Sequence, residues 1–377
     1  MLCPRGNDFS IQACGFAPQV FVFRIFLHRV YNPITSSVYD TRLYEAFWFY
    51  TMEHIYTEIF MKRMTFFLSL LIFASLACGL PAANAAPAET QPAEAATSLP
   101  VENETAFPSN EFDSSKLGTV ERDVTYCTMD GVELKMDVYY PFENSGRFPV
   151  TMYVHGGGWQ KGDKGGGAGE AEFLELQKAG FLMVSVNYRL APDYEFPAMI
   201  EDVKCAVRSL RAHADEFNLD SNRIGVFGSS AGGHLVALLG TTDESAGFDV
   251  GEYLDQSSRV QAVVDMFGPA DLTASVANDS ETVQNAFGNF DLALASPVTF
   301  VSVDDPPFLI LHGEEDTLVP IEQSEELLAK LQAAGVPAEL MRVANAGHGF
   351  KPVGGDPNPS RVEISQQIVN FFEETLR

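Results

Sequence analysis

Two glycine-rich clusters carry the residues whose types and spacing could do chemistry: His155-Gly156-Gly157-Gly158-Trp159 and Gly228-Ser229-Ser230-Ala231-Gly232. The second sets Ser230 between a strand-like run, Arg223-Ile224-Gly225-Val226-Phe227, and a helix-like start, Ala231-Gly232-Gly233-His234-Leu235-Val236-Ala237. A serine on such a strand-to-helix turn exposes its hydroxyl near the positive end of a helix. The first cluster follows the apolar run Val150 to Val154, and its glycines let backbone N–H groups face a reacting carbonyl without a side chain in the way. Gly157, Gly158 and Ala231 are therefore the expected donors to a developing oxyanion, where one donor is typically worth about 3 to 4 kcal/mol. The implied chemistry is attack by a serine on an acyl carbonyl.

A serine needs a base, and the seven histidines narrow by position. His28 and His54 lie in the aberrant N-terminal stretch, His155 belongs to the glycine loop it is expected to brace, and His213 sits on a polar helix end. His234 is four residues after Ser230 on the same helix, pointing away from the reacting centre, and His312 ends a strand in a structural role. His348, in Asn345-Ala346-Gly347-His348-Gly349-Phe350, follows the last strand-like run on a loop that can bring an imidazole to Ser230. The orienting acid is expected in His312-Gly313-Glu314-Glu315-Asp316, just past another strand; Asp316, which closes the turn before Leu318-Val319-Pro320, is the choice and Glu315 the alternative.

The elements that must position these groups begin near residue 119. Val132 to Tyr140 alternates and forms a hairpin with the segment before Asp130-Gly131, whereas Val150 to Val154, Phe181 to Val186, Ile224 to Phe227, Ala262 to Met266, Phe308 to Leu311 and Ala338 to Val343 read as strands. Helices are expected over Gly169 to Ala179, Phe196 to Glu216, Ala231 to Leu239, Ile321 to Ala334 and Arg361 to Leu376. The alternation describes a mostly parallel sheet with helices on both faces, and the stretches 241–258 and 270–300, which fit it less well, are expected to form a small cap or substrate-shaping loops. Glycine-rich Gly162 to Gly169 reads as a mobile rim. Asp202 and Arg208 read as a solvated or capping network, and Asp265 and Asp271 as a turn network around Phe267-Gly268-Pro269. Trp159 is a pocket residue or a loop anchor.

The first 118 residues differ from the rest. Lys62 and Arg63, the apolar stretch Met64 to Ala77 and the small-residue site Ala83-Asn84-Ala85 make 61–85 a signal peptide. Such signals are read at the N-terminus, so translation is expected to start at Met61, with 1–60 a mis-assigned extension; the alternative is a genuine extension anchored in a membrane by 64–86. Ser75-Leu76-Ala77-Cys78 is similar to a lipoprotein cleavage box, which makes Cys78 a second processing route. Residues 86–118, rich in Ala, Pro, Glu, Ser and Thr, read as a disordered linker, which leaves 119–377 as the catalytic domain. The secreted or periplasmic chain has no stable membrane span on this reading. The full sequence carries 51 acidic against 24 basic residues, a formal net charge of −27, which excludes nucleic acid as a partner. Only Cys127 and Cys205 lie beyond Cys78, and they suggest no disulfide framework.

The order Ser230, Asp316, His348 is that of an α/β-hydrolase. Tyr153-Val154-His155-Gly156-Gly157-Gly158-Trp159, Asn187-Tyr188-Arg189-Leu190-Ala191-Pro192, Gly228-Ser229-Ser230-Ala231-Gly232-Gly233-His234 and Asp304-Asp305-Pro306-Pro307-Phe308 resemble the hormone-sensitive-lipase-like esterases, particularly their bacterial acetyl-xylan and feruloyl esterase-like branch. The resemblance covers about 120–376. It implies an α/β-hydrolase fold and a carboxylic-ester hydrolase without metal or organic cofactor. With no long helical N-terminal cap, short acyl groups are expected over long lipid chains, on small-molecule or polysaccharide esters. An amide-cleaving relative such as an arylformamidase or peptidase is the enzymatic alternative, and a binding protein on an esterase scaffold the non-enzymatic one.

Overall fold

The computed structural model describes residues 117–142, 146–166, 169–274 and 280–377. The expected signal peptide, its upstream extension, Cys78 and nearly all of the linker lie outside them. The described residues all belong to one compact unit, Leu99–Arg377.

Eight strands form a single sheet: β1 (Val120–Met129), β2 (Val132–Tyr139), β3 (Phe148–Val154), β4 (Leu182–Val186), β5 (Leu219–Ser229), β6 (Ala262–Met266), β7 (Phe308–Gly313) and β8 (Ala338–Val343). Their spatial order is β1-β2-β4-β3-β5-β6-β7-β8. The β1–β2 hairpin turns at Asp130-Gly131, and β2 joins β4 antiparallel; β4, β3, β5, β6, β7 and β8 run parallel. β3, β4, β6 and β7 are buried throughout, as continuous apolar strands covered on both faces must be.

Helices α1 (Glu170–Lys178), α2 (Ala198–Ala212), α3 (Ala231–Thr241), α4 (Glu281–Phe287), α5 (Glu322–Ala334) and α6 (Arg361–Leu376) supply the cover. Alternation along each strand divides the core between two faces. Val150, Met152 and Val154 of β3 pack with α2, α3 and α5, while Tyr153 packs on the other face with Phe173 of α1 and Phe372 of α6. α6 begins at a capping box between Ser360 and Glu363.

Three expectations need correction. β5 starts at Leu219 rather than Ile224, because its polar first half still reaches β3: Leu219 pairs with Phe148 before a register shift restores Val150 to Ile224. Asp202 and Arg208 are buried, not solvated. Asp202 takes the guanidinium of Arg189 at 2.8 Å, and Arg208, with the equally buried Lys204, reaches Asp249 at 2.8 and 3.0 Å. The Lys204 and Arg208 pairs fasten the 242–258 loop to α2.

The third correction concerns Cys127 and Cys205, which form a disulfide across 78 residues of chain. Neither cysteine has a motif neighbour. They meet because α2 packs under the outer strand β1, a tertiary fact that spacing does not carry. The Cys127→Ser, Cys205→Ser double variant is expected to lose about 2 to 5 kcal/mol, read as a lower denaturant midpoint than the oxidised protein, with reductant shifting only the parent.

Candidate active site

β5 ends at Ser229 and α3 begins at Ala231, so Ser230 alone makes the turn. Its backbone stands at φ 55°, ψ −120°, a conformation that costs a non-glycine residue on the order of 1 to 3 kcal/mol and persists only where the surroundings fix it. They do so here. The Ser230 N–H donates to Met266 O at 2.9 Å, and the Ser230 carbonyl accepts from His234 N at 2.9 Å. A Cβ on Gly232 would stand 2.0 Å from Val154 O, so only glycine lets the start of α3 settle on the end of β3.

The structure brings Ser230, His348 and Asp316 together. His348 Nε2 lies 3.0 Å from Ser230 Oγ, and its Nδ1 lies 2.7 Å from Asp316 Oδ2. The imidazole does not dangle from a free loop. It opens a short 3-10 turn, His348–Phe350, held by Gly347 N–H to Lys351 O at 2.8 Å and flanked edge-on by Phe267 at 4.8 Å. Asp316 is buried; its Oδ1 accepts from the Leu318 and Val319 amides at 2.9 Å each. Burial alone would raise the Asp316 carboxyl, but hydrogen bonds from His312 and His348, with the Val319 amide, hold it well below the usual carboxylate range. The alternative acid Glu315 faces solvent.

The glycine loop lies against the nucleophile: a Cβ on Gly156 would stand 3.3 Å from Ser230 Cβ. Gly157 has φ 113° and its carbonyl accepts from both Gln160 and Lys161 N at 3.1 Å, a tight turn that a side chain would block. Gly158 follows at φ 59°. Ala231 N–H opens α3, where a helix has no internal acceptor for its first amides. His155 braces the loop as expected, with Nδ1–H donating to Gly156 O at 2.7 Å and its ring stacked on Tyr188 at 4.4 Å. Burial pushes its imidazole down.

Trp159 resolves as a loop anchor. It is buried, its Nε1–H donates to His234 Nδ1 at 3.2 Å, and its ring meets Phe287 of α4 edge-on. The small cap consists of α4 and three short 3-10 turns within 241–300, and Gln160 Nε2 ties α4 to the glycine loop through Thr282 O at 3.2 Å. Gly162 is packed against the His155 ring and Lys164 is buried beside Asp123 and Asp137, so the described part of the expected rim is tethered. Asp265 is buried beneath α3; burial pushes it up to about 6 although Oδ1 accepts from Gly268 N at 2.9 Å. Asp271 caps a local turn through Thr273. Among the described residues no His, Cys, Asp and Glu cluster could hold a metal ion, and no helix is long and apolar enough to cross a membrane.

His234 turns away from Ser230 into the core, its Nε2–H donating to Ala295 O at 2.8 Å. Burial pushes it down to about 4, with the Ala295 bond opposing. A ring kept neutral in the fold but protonated near 6.5 in the unfolded chain gives stability that is full above about pH 6.5. That stability falls as pH drops toward about 4, by about 3 kcal/mol in all. His234→Gln is expected to remove this part of the pH dependence; denaturant midpoints at about pH 7.5 and about pH 4.5 check it.

A strained serine within reach of an acid-oriented imidazole lies beside the glycine loop. The family model BD-FAE matches residues 136–331. The chain belongs to the BD-FAE family. It is 33% identical over 222 residues to the probable carboxylic ester hydrolase LipM of Mycobacterium tuberculosis, covering 56% of this chain and 51% of that protein. To the esterase LipC of the same organism it is also 33% identical, covering 55% and 54%. The chain thus spans about half the length of the curated relatives it matches. Among solved structures it is similar to a truncated carbohydrate esterase from gut microbiota, with TM-score 0.60 and 30% identity over 70% of this chain and 99% of that one. Butyrate-bound esterase 2 of Thermogutta terrifontis gives TM-score 0.58 and 25% identity over 67% and 92%. The fold is that of the α/β-hydrolase esterases.

Proposed function

We propose that this chain is an exported serine carboxylic-ester hydrolase of short acyl esters, with acetyl or feruloyl groups on polysaccharides as its substrate class. The observation that carries the reading is the chain of contacts from Ser230 Oγ through His348 to Asp316, at 3.0 and 2.7 Å. His348 Nε2 takes the hydroxyl proton as Ser230 Oγ bonds to the ester carbon, and Asp316 stabilises the imidazolium through Nδ1–H. Gly157, Gly158 and Ala231 N–H groups hold the oxyanion. The C–O bond to the alcohol breaks, the alkoxide takes the proton from His348, and an acyl-Ser230 remains. His348 then deprotonates water, whose attack releases the acid and restores Ser230.

Short acyl groups are supported by the small cap, which closes on the glycine loop through Gln160 and Thr282, and by a neighbour that was solved with butyrate. The carbohydrate esterase neighbour supports sugar esters. The Cys127–Cys205 disulfide supports an oxidising compartment and hence export.

The test is a panel of p-nitrophenyl acetate, butyrate and decanoate, acetylated xylan, methyl ferulate, formylkynurenine and a dipeptide amide, with fluorophosphonate labelling mapped by peptide. The expected result is one label, at Ser230, and kcat/KM highest for acetyl and feruloyl esters. Preference for formylkynurenine or the amide overturns the ester assignment, and a folded protein that takes no label overturns the enzyme.

A further inference from the structure

His312 has no part in the chemistry above, yet it touches the residue that orients the base. It lies near the end of β7, fully buried. Its Nε2 stands 2.8 Å from Val319 O and 3.4 Å from Asp316 Oδ2. Both of those atoms accept, so Nε2 carries the proton and shares it between them. In the neutral ring Nδ1 then accepts, and the Ser324 hydroxyl of α5, also fully buried, donates to it at 2.6 Å.

The consequence is a closed arrangement around one carboxylate. Asp316 Oδ1 takes the Leu318 and Val319 amides, and Oδ2 takes His348 and, at longer range, His312. Val319 is held from both ends: its N–H donates to Asp316 and its carbonyl accepts from His312. We propose that His312, with its proton placed by Ser324, is a positioning residue that fixes Asp316 against His348, an inference that rests on the serine-hydrolase reading above. It sets the carboxylate's rotation through Val319 and spreads its charge over a second donor, so that Asp316 meets the His348 imidazolium as a held anion rather than a rotating one. The charged and titratable groups facing His312 are Asp316 on its own loop and Asp265 of β6, whose Oδ2 finds no hydrogen-bond partner. His348 lies beyond Asp316, and the contact from α5 is the uncharged Ser324.

The experiment uses the full chain with p-nitrophenyl acetate and kcat corrected for fluorophosphonate-reactive sites, in His312→Leu, His312→Gln and Ser324→Ala. Leucine removes both ring contacts, whereas glutamine keeps a donor near the Nε2 position. His312→Leu is expected to lower kcat per active site about 10- to 100-fold with KM within about twofold. Its acid limb of kcat/KM is expected to move to higher pH, because Asp316 then concentrates its charge on His348. His312→Gln recovers most of kcat, and Ser324→Ala moves the limb the same way with a smaller fall. Wild-type kcat and an unmoved limb in folded His312→Leu overturn the proposal, as do equal losses in the leucine and glutamine variants. Should His312→Leu not fold, an unchanged kcat and limb in Ser324→Ala overturn it instead. A parent protein that takes no fluorophosphonate overturns the serine-hydrolase reading itself; a labelled parent with an indifferent His312 overturns only this inference.

Discussion

Ser230→Ala and His348→Ala are each expected to lower kcat on p-nitrophenyl acetate by about 10⁶-fold, and the double variant by no more than either alone. On the proposed mechanism the two side chains act as one device: a serine hydroxyl is a poor nucleophile until its proton has somewhere to go, and His348 Nε2, 3.0 Å from Ser230 Oγ, would take it. Ser229 cannot stand in. It is buried, with its hydroxyl 3.1 Å from Tyr153 OH on the other side of the strand end. His234 cannot stand in for His348, since both its ring nitrogens are engaged, by Trp159 and Ala295. His234→Ala is therefore expected to cost about 2 to 4 kcal/mol of stability while leaving kcat per folded molecule within about tenfold of the parent. Burst titration of p-nitrophenol release, with folded protein counted by unfolding amplitude, separates the two effects. Ser230→Ala that keeps more than about a thousandth of the parent rate would place the nucleophile elsewhere.

What made Ser230 and His348 legible was position at strand ends. β8 matches the apolar run Ala338 to Val343 residue for residue, and β5, expected to end at Phe227, ends at Ser229, so the loop with His348 and the turn with Ser230 both fall at strand ends. Among the described histidines, His155, His213, His234 and His312 each have a local partner that holds the ring elsewhere, while His28 and His54 lie outside the described residues. The remainder depended on contacts between segments distant in sequence. Lys204 and Arg208 look solvated on a helix read alone, and it is Asp249, more than forty residues on, with oxygens of Thr242, Val250, Glu252 and Ser258, that makes their burial tolerable. The disulfide required knowing that α2 lies under β1. The polar start of β5, Leu219-Asp220-Ser221-Asn222-Arg223, has no strand pattern and is a strand because Phe148 pairs with it. His312 was legible as structural, but its tie to Asp316 was not. A four-residue spacing across a strand end has no fixed geometry, unlike the same spacing on a helix.

Asp316→Asn is expected to leave the fold intact and to lower kcat about 10⁴-fold, more than the loss of one hydrogen bond explains. The reason lies in which oxygen faces which donors. Oδ1 accepts two backbone amides, from Leu318 and Val319, so the carbonyl oxygen of the asparagine takes that side and its NH₂ replaces Oδ2. That group now donates toward His348 Nδ1, which formerly gave its own proton to Asp316 at 2.7 Å. His348 answers by accepting at Nδ1 and carrying its proton on Nε2, the tautomer that cannot take one from Ser230. The same NH₂ also faces the Nε2–H of His312 at the 3.4 Å contact, but reversing the amide would turn it against two closer donors, the Leu318 and Val319 amides at 2.9 Å each. Glu315→Gln, at an exposed position with no part in this geometry, is expected to keep kcat within about twofold. Two features should mark the Asp316→Asn loss: KM near that of the parent, and partial recovery as pH rises and hydroxide can remove the Ser230 proton directly. Unchanged kcat in Asp316→Asn beside a large loss in Glu315→Gln would transfer the acid to Glu315.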